Sequence, residues 1–252
     1  MRKIHFILFL ALLSLGIASC KKGLSFKPSG TSAFIMVNGV SGSDYLYTNF
    51  NGDKSKDQYY ISMRTVSYGN FRFFNSYSGE QDLGLYLPAD TNSKALFRLG
   101  FNLEQNSMHT LFLTGTTQDP DYLLTTDSLP SHLPADSMMG LRFINVSKGS
   151  DAVSVNLAGQ ANGSEVDGLA YKNVSAFKNY KAGSGVSSYT FEFRDKATGT
   201  LLGSCVVDGI NNDGSIFAPN LRRNRNYTIA LLGAPGGNAP SQVLIIDEAA
   251  QI

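Results

Sequence analysis

Few side chains in this 252-residue chain are of the kind that do chemistry. Histidine occurs only at His5, His109 and His132. His109 abuts the apolar run Thr110 to Leu113, and His132 lies between Pro130 and Pro134. Neither has a Cys, His or acid at ligand spacing beside it, so neither reads as a general base or a metal ligand. No Gly-x-Ser-x-Gly elbow, Gly-x-Gly-x-x-Gly turn or phosphate-binding loop occurs. The oxygen-rich run Asp208 to Ser215 has the composition of a calcium loop. Counting from Asn211, however, Arg222 stands where an EF-hand needs its bidentate acid. Asn, Asp and Gly in that run suit a turn that requires positive φ, and Arg222, Arg223 and Arg225 read as a solvated hairpin tip. These residues predict a non-enzyme that takes no cofactor and no metal.

The cysteines are more informative. Arg2 and Lys3 are followed by an apolar run from Phe6 to Ala18, too short to span a bilayer as a helix, and small residues precede Cys20. Ile17-Ala18-Ser19-Cys20 resembles the lipobox, which implies cleavage before a cysteine that carries acyl chains and so a stable membrane anchor. Lys21 after the cysteine implies transport onward to the outer membrane in a diderm bacterium. With Cys20 lipidated, Cys205 has no partner within the chain. It sits in the strand-like run Leu201 to Val207, with Leu201, Gly203, Cys205 and Val207 expected on one face, which predicts a buried, inert thiol.

Charge excludes a further class of partner. The chain has 21 Lys+Arg and 20 Asp+Glu, and loss of Arg2 and Lys3 with the signal leaves 19 against 20, a mature charge of −1. No nucleic-acid partner is implied.

Elements of period two must hold these residues. Tyr189, Phe191 and Phe193 alternate with Thr190, Glu192 and Arg194, and Val153, Val155 and Leu157 alternate with Ser154 and Asn156. No window carries a sustained helical stripe. The chain also repeats. Ala33 to Asn38 matches Leu141 to Val146, Tyr68-Gly69-Asn70 matches Tyr171-Lys172-Asn173, and Thr110 to Gly115 matches Thr228 to Gly233. The predicted fold is all-β: two tandem immunoglobulin-like antiparallel β-sandwich domains, of about seven strands each, after a lipoprotein signal peptide. The expected divisions are a signal at 1–19, a lipidated tether at 20–25, sandwiches at 26–127 and 140–252, and an exposed, fairly stiff Pro-containing linker at 128–139. Tyr227 is placed to make the hydrogen bond of a tyrosine corner.

Leu141 to Val146, Ala152 to Leu157, Leu169 to Val174 and Asn226 to Gly233 together resemble the domain of unknown function 4397, an immunoglobulin-like sandwich of bacterial envelope proteins. Residues 26–127 look like a diverged copy, and the whole is similar to paired-sandwich lipoproteins of Bacteroidota. Ser147 to Asp151 departs from the Pro-rich turn that many members carry. The resemblance implies a fold and transfers no catalytic residue.

Binding is therefore the expected role, with the membrane as one partner through lipid on Cys20. A glycan or an envelope protein is the other, met by aromatic side chains. The candidates are Tyr45, Tyr47, Phe50, Tyr59 and Tyr60, which provide either a contact platform or ordinary core. The alternatives are a glycan-binding accessory of a polysaccharide-uptake system and a fimbrial subunit. The latter is disfavoured because the first Arg after Cys20 is Arg64, inside a strand-like run. Asp127-Ser128-Leu129 and Asp136-Ser137-Met138 resemble an O-glycosylation tripeptide, making Ser128 and Ser137 candidate acceptors. The lipid assignment has a direct test: Cys20→Ala abolishes palmitate labelling and releases the protein from the membrane fraction.

Overall fold

The computed structural model describes residues 30–50, 65–88, 94–133, 135–212, 214–233, 235 and 241–248. These form sixteen strands and no α-helix. The first half contains β1 (Thr31–Asn38), β2 (Tyr45–Asn49), β3 (Thr65–Ser67), β4 (Asn70–Tyr77), β5 (Gly79–Tyr86), β6 (Phe97–Leu103), β7 (Met108–Gly115) and β8 (Pro120–Thr126). The second half contains β9 (Met138–Asn145), β10 (Val153–Leu157), β11 (Val166–Leu169), β12 (Lys178–Lys181), β13 (Tyr189–Asp195), β14 (Leu201–Val207), β15 (Asn226–Leu232) and β16 (Gln242–Asp247). Each half is a sandwich of two four-stranded sheets, ordered β4-β1-β7-β8 with β3-β2-β5-β6, and β12-β9-β15-β16 with β11-β10-β13-β14. Adding eight to every strand of the first half reproduces the second. Pairing is antiparallel except for β1 with β7 and β9 with β15.

The repeat extends to individual hydrogen bonds. Asn38, at the end of β1, donates from Nδ2 to Ser43 Oγ (3.2 Å) and the Val66 carbonyl (3.0 Å), and its Oδ1 accepts from the Val40 amide at 3.0 Å. Asn145, at the end of β9, does the same with Ser150 Oγ (3.0 Å), the Leu169 carbonyl (3.2 Å) and the Ser147 amide (3.0 Å). Both side chains are fully buried, so each amide must be satisfied on both ends, and the same loop satisfies it in each copy. Gly69 and Lys172 occupy equivalent turns with φ of 67° and 65°. Glycine at the first leaves room for the end of the Gln242 side chain of the other half, which would have to move aside for a Cβ there.

Three apolar layers result. Phe34, Met36, Leu111 and Leu113 face Leu46, Leu83, Leu85 and Leu99 inside the first sandwich. Leu141, Phe143, Ile229 and Leu231 face Val153, Val155, Phe191 and Phe193 inside the second. The alternate residues of the same strands do not meet water. Ile35, Val37 and Phe112 pack against Ile144, Val146, Ala230, Leu232 and Ile246, so the sheet containing β1 docks on the sheet containing β9. Covered on both faces, β1, β7, β9 and β15 are buried almost along their whole length instead of on alternate residues.

At one end of this interface lies a buried charge cluster. Arg142 Nη2 donates to Asp127 Oδ1 at 2.7 Å and to Glu248 Oε1 at 2.9 Å, and its Nε donates to Thr228 Oγ1 at 2.7 Å. Thr110 donates to Asp127 Oδ2 at 2.6 Å, and Thr228 donates to Glu248 Oε1. The two acids are structural equivalents: Asp127 N bonds the Met108 carbonyl and Glu248 N the Asn226 carbonyl, one residue beyond each final ladder. The Phe177 ring covers the guanidinium at 4.9 Å.

The segment between β8 and β9 exposes Ser128, Ser131 and Leu133. It does not run free, however, for Asp127 is buried, Leu129 packs into the interface, and Asn226 ties down Pro130 O and His132 Nε2, each at 2.9 Å. A bulge opposite Phe193 and Arg194 also turns Leu201 outward and brings Leu202 to the core, so Leu201 does not share the face of Cys205 and Val207.

Removing the arginine leaves two buried acids uncompensated, so Arg142→Ala should cost about 3–5 kcal/mol in urea unfolding. Burial pushes Glu248 above the ordinary glutamate value, and Asp127 nearby adds to the shift, against the pull of Arg142 and Thr228. A carboxyl whose folded pKa is raised contributes stability below its unfolded value of 4.5 that is lost as pH rises through the folded value. Glu248→Gln should therefore flatten the decline in urea midpoint above pH 4.5.

Candidate binding surfaces and the search for an active site

Docking consumes the inner sheets, so the faces left to partners are those of the outer sheets and the two ends. On β2, Leu46 and Thr48 turn inward while Tyr45 and Tyr47 turn outward, both half-buried. Their rings meet edge to face, 5.2 Å apart at 87°, with hydroxyls 3.4 Å apart. The bond to Tyr47 holds the Tyr45 hydroxyl protonated above the ordinary tyrosine range. Tyr47 lies opposite Tyr86 of β5 in the ladder, and the exposed pair Asp82 and Arg98 (3.6 Å) lies further across that sheet. Phe50 is placed differently. It packs on Phe34 at 6.2 Å and Phe74 at 5.3 Å and closes the edge of the first core, so it is not part of the outward surface. Tyr59 and Tyr60 lie outside the described residues, as does Cys20.

The outer sheet of the second half carries no such aromatic pair. Instead, a cleft of about 430 Å³ is lined by Asn156, Gln160, Asn162, Glu192 and Arg194. Its polar groups are largely engaged with one another: Asn162 Oδ1 accepts from Ser154 (2.8 Å) and Asn156 (3.0 Å), and Arg194 pairs with Glu192 at 3.0 Å. These contacts explain why Ser154 and Asn156, on the outward positions of β10, are buried.

The loop from 208 to 225 closes one end of the second sandwich. Tyr227 makes the tyrosine-corner bond, its hydroxyl donating to the Leu221 carbonyl at 2.6 Å. Asn220 fastens the loop further, donating to the carbonyls of Ala182, Ile210 and Asn212 and accepting from the amides of Arg222 and Arg223. The arginines do not form a free tip. Arg222 lies 4.8 Å over the Tyr227 ring, Arg223 bonds the Ala182 carbonyl, and Arg225 pairs with Asp247 at 3.0 Å. The apex of the loop is apolar instead, with Ile216 88% and Phe217 92% exposed. Beside it, a cleft of about 460 Å³ is lined by Asp136, Ser137, Lys181, Asn212 and Arg223. Ser137 is thus half-buried at a cleft wall, whereas Ser128 is exposed.

Among the described residues, the nearest approach to a nucleophile and base is Ser107 with His109, Oγ to Nε2 at 2.6 Å. The Ser107 hydroxyl also donates to the Glu104 carbonyl at 2.5 Å, which leaves His109 Nε2 to act as donor rather than as base. His109 is buried, its Nδ1 meets Thr126 Oγ1 at 3.2 Å, and no carboxylate orients it. Among the described residues, no group of three or more His, Cys, Asp or Glu side chains could hold a metal ion.

No family model matches the chain, and no curated protein matches it either. A solved structure to which the chain is similar is the family 26 carbohydrate-binding module CBMbc of Eubacterium rectale Amy13K in complex with maltoheptaose. The match has 11% identity and a TM-score of 0.25 and covers 88% of this chain and 98% of that one.

Cys205 packs against the second core, and burial pushes its thiol up to about 12, with the Phe191 backbone and Arg222 pulling weakly the other way. Thiolate is the reactive species. Thiol reagents should therefore leave Cys205 unmodified in the folded protein at pH 8 and label it on unfolding; rapid labelling of the native chain would contradict its burial.

Proposed function

We propose that this chain is a non-enzymatic lipoprotein of the cell envelope, held to the outer membrane through Cys20, that binds or scaffolds an envelope partner. On this reading its second half is a relative of the domain of unknown function 4397 sandwiches and its first half is a diverged copy. The observation that carries the binding role is the outward Tyr45–Tyr47 pair on a body whose inner sheets are already occupied by each other. Two half-buried tyrosines add little to the core, but they present rigid amphipathic area with hydroxyls to hydrogen-bond a partner.

Ring geometry bears on the class of partner. At 87° the two rings offer one face and one edge, not the flat pair on which a run of pyranose rings stacks, which favours a protein or mixed envelope surface over a linear glycan. The fimbrial reading would require an N-terminal strand to be released after cleavage. Here β1 is hydrogen-bonded on both edges, to β4 and β7, and its side chains fill both the first core and the interface. That speaks against a donated-strand mechanism.

Tyr45→Ala/Tyr47→Ala should leave the unfolding midpoint nearly unchanged and abolish retention of the envelope partner on the immobilised protein, with a glycan array run in parallel. Phe50→Ala serves as the core control and should cost about 3 kcal/mol. Loss of stability in the tyrosine variant, without loss of binding, would reduce the pair to structure.

A further inference from the structure

The apex of the 208–225 loop is not explained by folding or by the tyrosine surface. Ser215 and Ala218 form a small antiparallel bridge, with Gly214 N bonded to Ala218 O at 3.0 Å and Ala218 N to Ser215 O at 3.2 Å. Ile216 and Phe217 are the two residues at the tip of that turn, and they are 88% and 92% exposed. Leu221, 56% exposed, lies below them. The turn is held by Asn220 and by Asn212, whose Nδ2 donates to the Pro219 carbonyl at 2.9 Å. Two adjacent large apolar side chains are thus exposed on a well-braced support, an arrangement that buries no apolar surface among the described residues.

Its place in the fold identifies the occupant. Strands β1 and β15 run in the same sense across the interface. Asp127, beside the start of β7, meets Arg142 and Glu248 near the start of β15, and at the opposite end Gly39 approaches Leu232. Thr31 and Asn226, the first residues of those strands, therefore lie at the same end of the molecule, and the 208–225 loop projects from that end. Only nine residues, 21–29, separate Cys20 from Gly30, a reach of at most ~35 Å. Behind the apex the arginines are engaged within the chain, Arg222 with Asp208 and the Tyr227 ring, Arg223 with the Ala182 carbonyl and Arg225 with Asp247, so the contact with lipid rests on the apolar tip.

We propose that Ile216 and Phe217 insert into the interface of the bilayer to which the N-terminus is anchored, forming a second contact that fixes the orientation of the body on the membrane. The proposal rests on the lipoprotein reading for the side of the molecule that faces lipid. Held this way, the strands stand away from the surface, and the Tyr45–Tyr47 face looks sideways, free of the lipid.

The chain contains no tryptophan, so Phe217→Trp introduces a single indole reporter at a fully exposed position. The protein from residue 20 onward is coupled through the Cys20 thiol to a maleimide lipid in phosphatidylcholine–phosphatidylglycerol vesicles; Cys205 is too buried to compete. This tether makes the test independent of lipidation in the cell, which palmitate labelling of Cys20 decides separately. The expected result is a blue-shifted emission that lipids brominated high on the acyl chain quench. A control Tyr122→Trp, at an exposed site toward the far end of β8, should stay red and unquenched. An unquenched indole in the Phe217→Trp protein, a blue shift without quenching (burial against protein) or equal quenching in both variants would each overturn the proposal.

Discussion

The structure depends on the contact between two sheets that come from different halves of the chain. Arg142 reaches two carboxylates that occupy the same structural position in their respective copies, each presented by an equivalent threonine, Thr110 for Asp127 and Thr228 for Glu248. The counterpart of Arg142 in β1 is Ile35, so the cluster breaks the internal symmetry: one guanidinium serves two acids. A second arginine at Ile35 would balance the charge and spoil the apolar layer beside it. The arrangement leaves excess negative charge in a buried place; Glu248, whose Oε2 finds no hydrogen-bond partner among the described residues, is raised first by that burial and further by the charge of Asp127. A cluster of this kind is weak support for stability and strong support for register, because any other docking of the two halves strands a charge.

The same duplication explains why the copies keep their form with little common sequence. The buried Asn at the end of the first strand needs donors and acceptors at fixed places, and Val66 and Leu169 supply carbonyls from strands that are otherwise unlike. Backbone groups carry that requirement, so side chains around it were free to diverge. The Gly69 and Lys172 pair illustrates the divergence: one copy of the turn carries a side chain, and in the other the end of Gln242 occupies the place that a side chain would take.

These physical differences separate what was legible in the sequence from what was not. Alternation in Tyr189 to Arg194 and in Val153 to Leu157 identified strands with one inward face, and the three repeated segments identified the duplication, because both signals are local. The docking of the halves was present in the sequence only as unbroken apolar runs such as Ala33 to Val37, which by themselves fit a single-sandwich core equally well. Tyr45 and Phe50 have similar chemistry at close spacing, yet one is outward and the other inward, a matter of parity along β2 that depends on which residue opens the strand. The bulge at Leu202 shifted parity in the same way. The arginine-rich stretch was misleading because charge in a turn is ordinarily solvated, whereas Tyr227 and the Ala182 carbonyl drew these side chains inward and left Ile216 and Phe217 at the tip.

Docking also decides where function can reside. Had the sandwiches been joined by a free linker, each inner sheet would have needed a polar outer face, and four faces would have been open to partners. Packing one sheet of each half against the other removes two of those faces, and the Asn226 contacts to Pro130 and His132 remove the hinge. What is left is one body with an aromatic outer face in the first half, a polar one in the second and two distinct ends. The far end is bound by ion pairs across the halves, Lys148 with Asp119 and Lys172 with Asp121, both near 2.7 Å or closer, so its charges are largely spent on each other. The near end instead keeps the apolar groups of Ile216 and Phe217 exposed, with no contact among the described residues to account for them. On the proposed reading, a body whose halves are docked on each other presents its Tyr45–Tyr47 face at a set angle to the membrane at the near end. On that reading, specificity for a partner comes from orientation as much as from the few side chains that touch it.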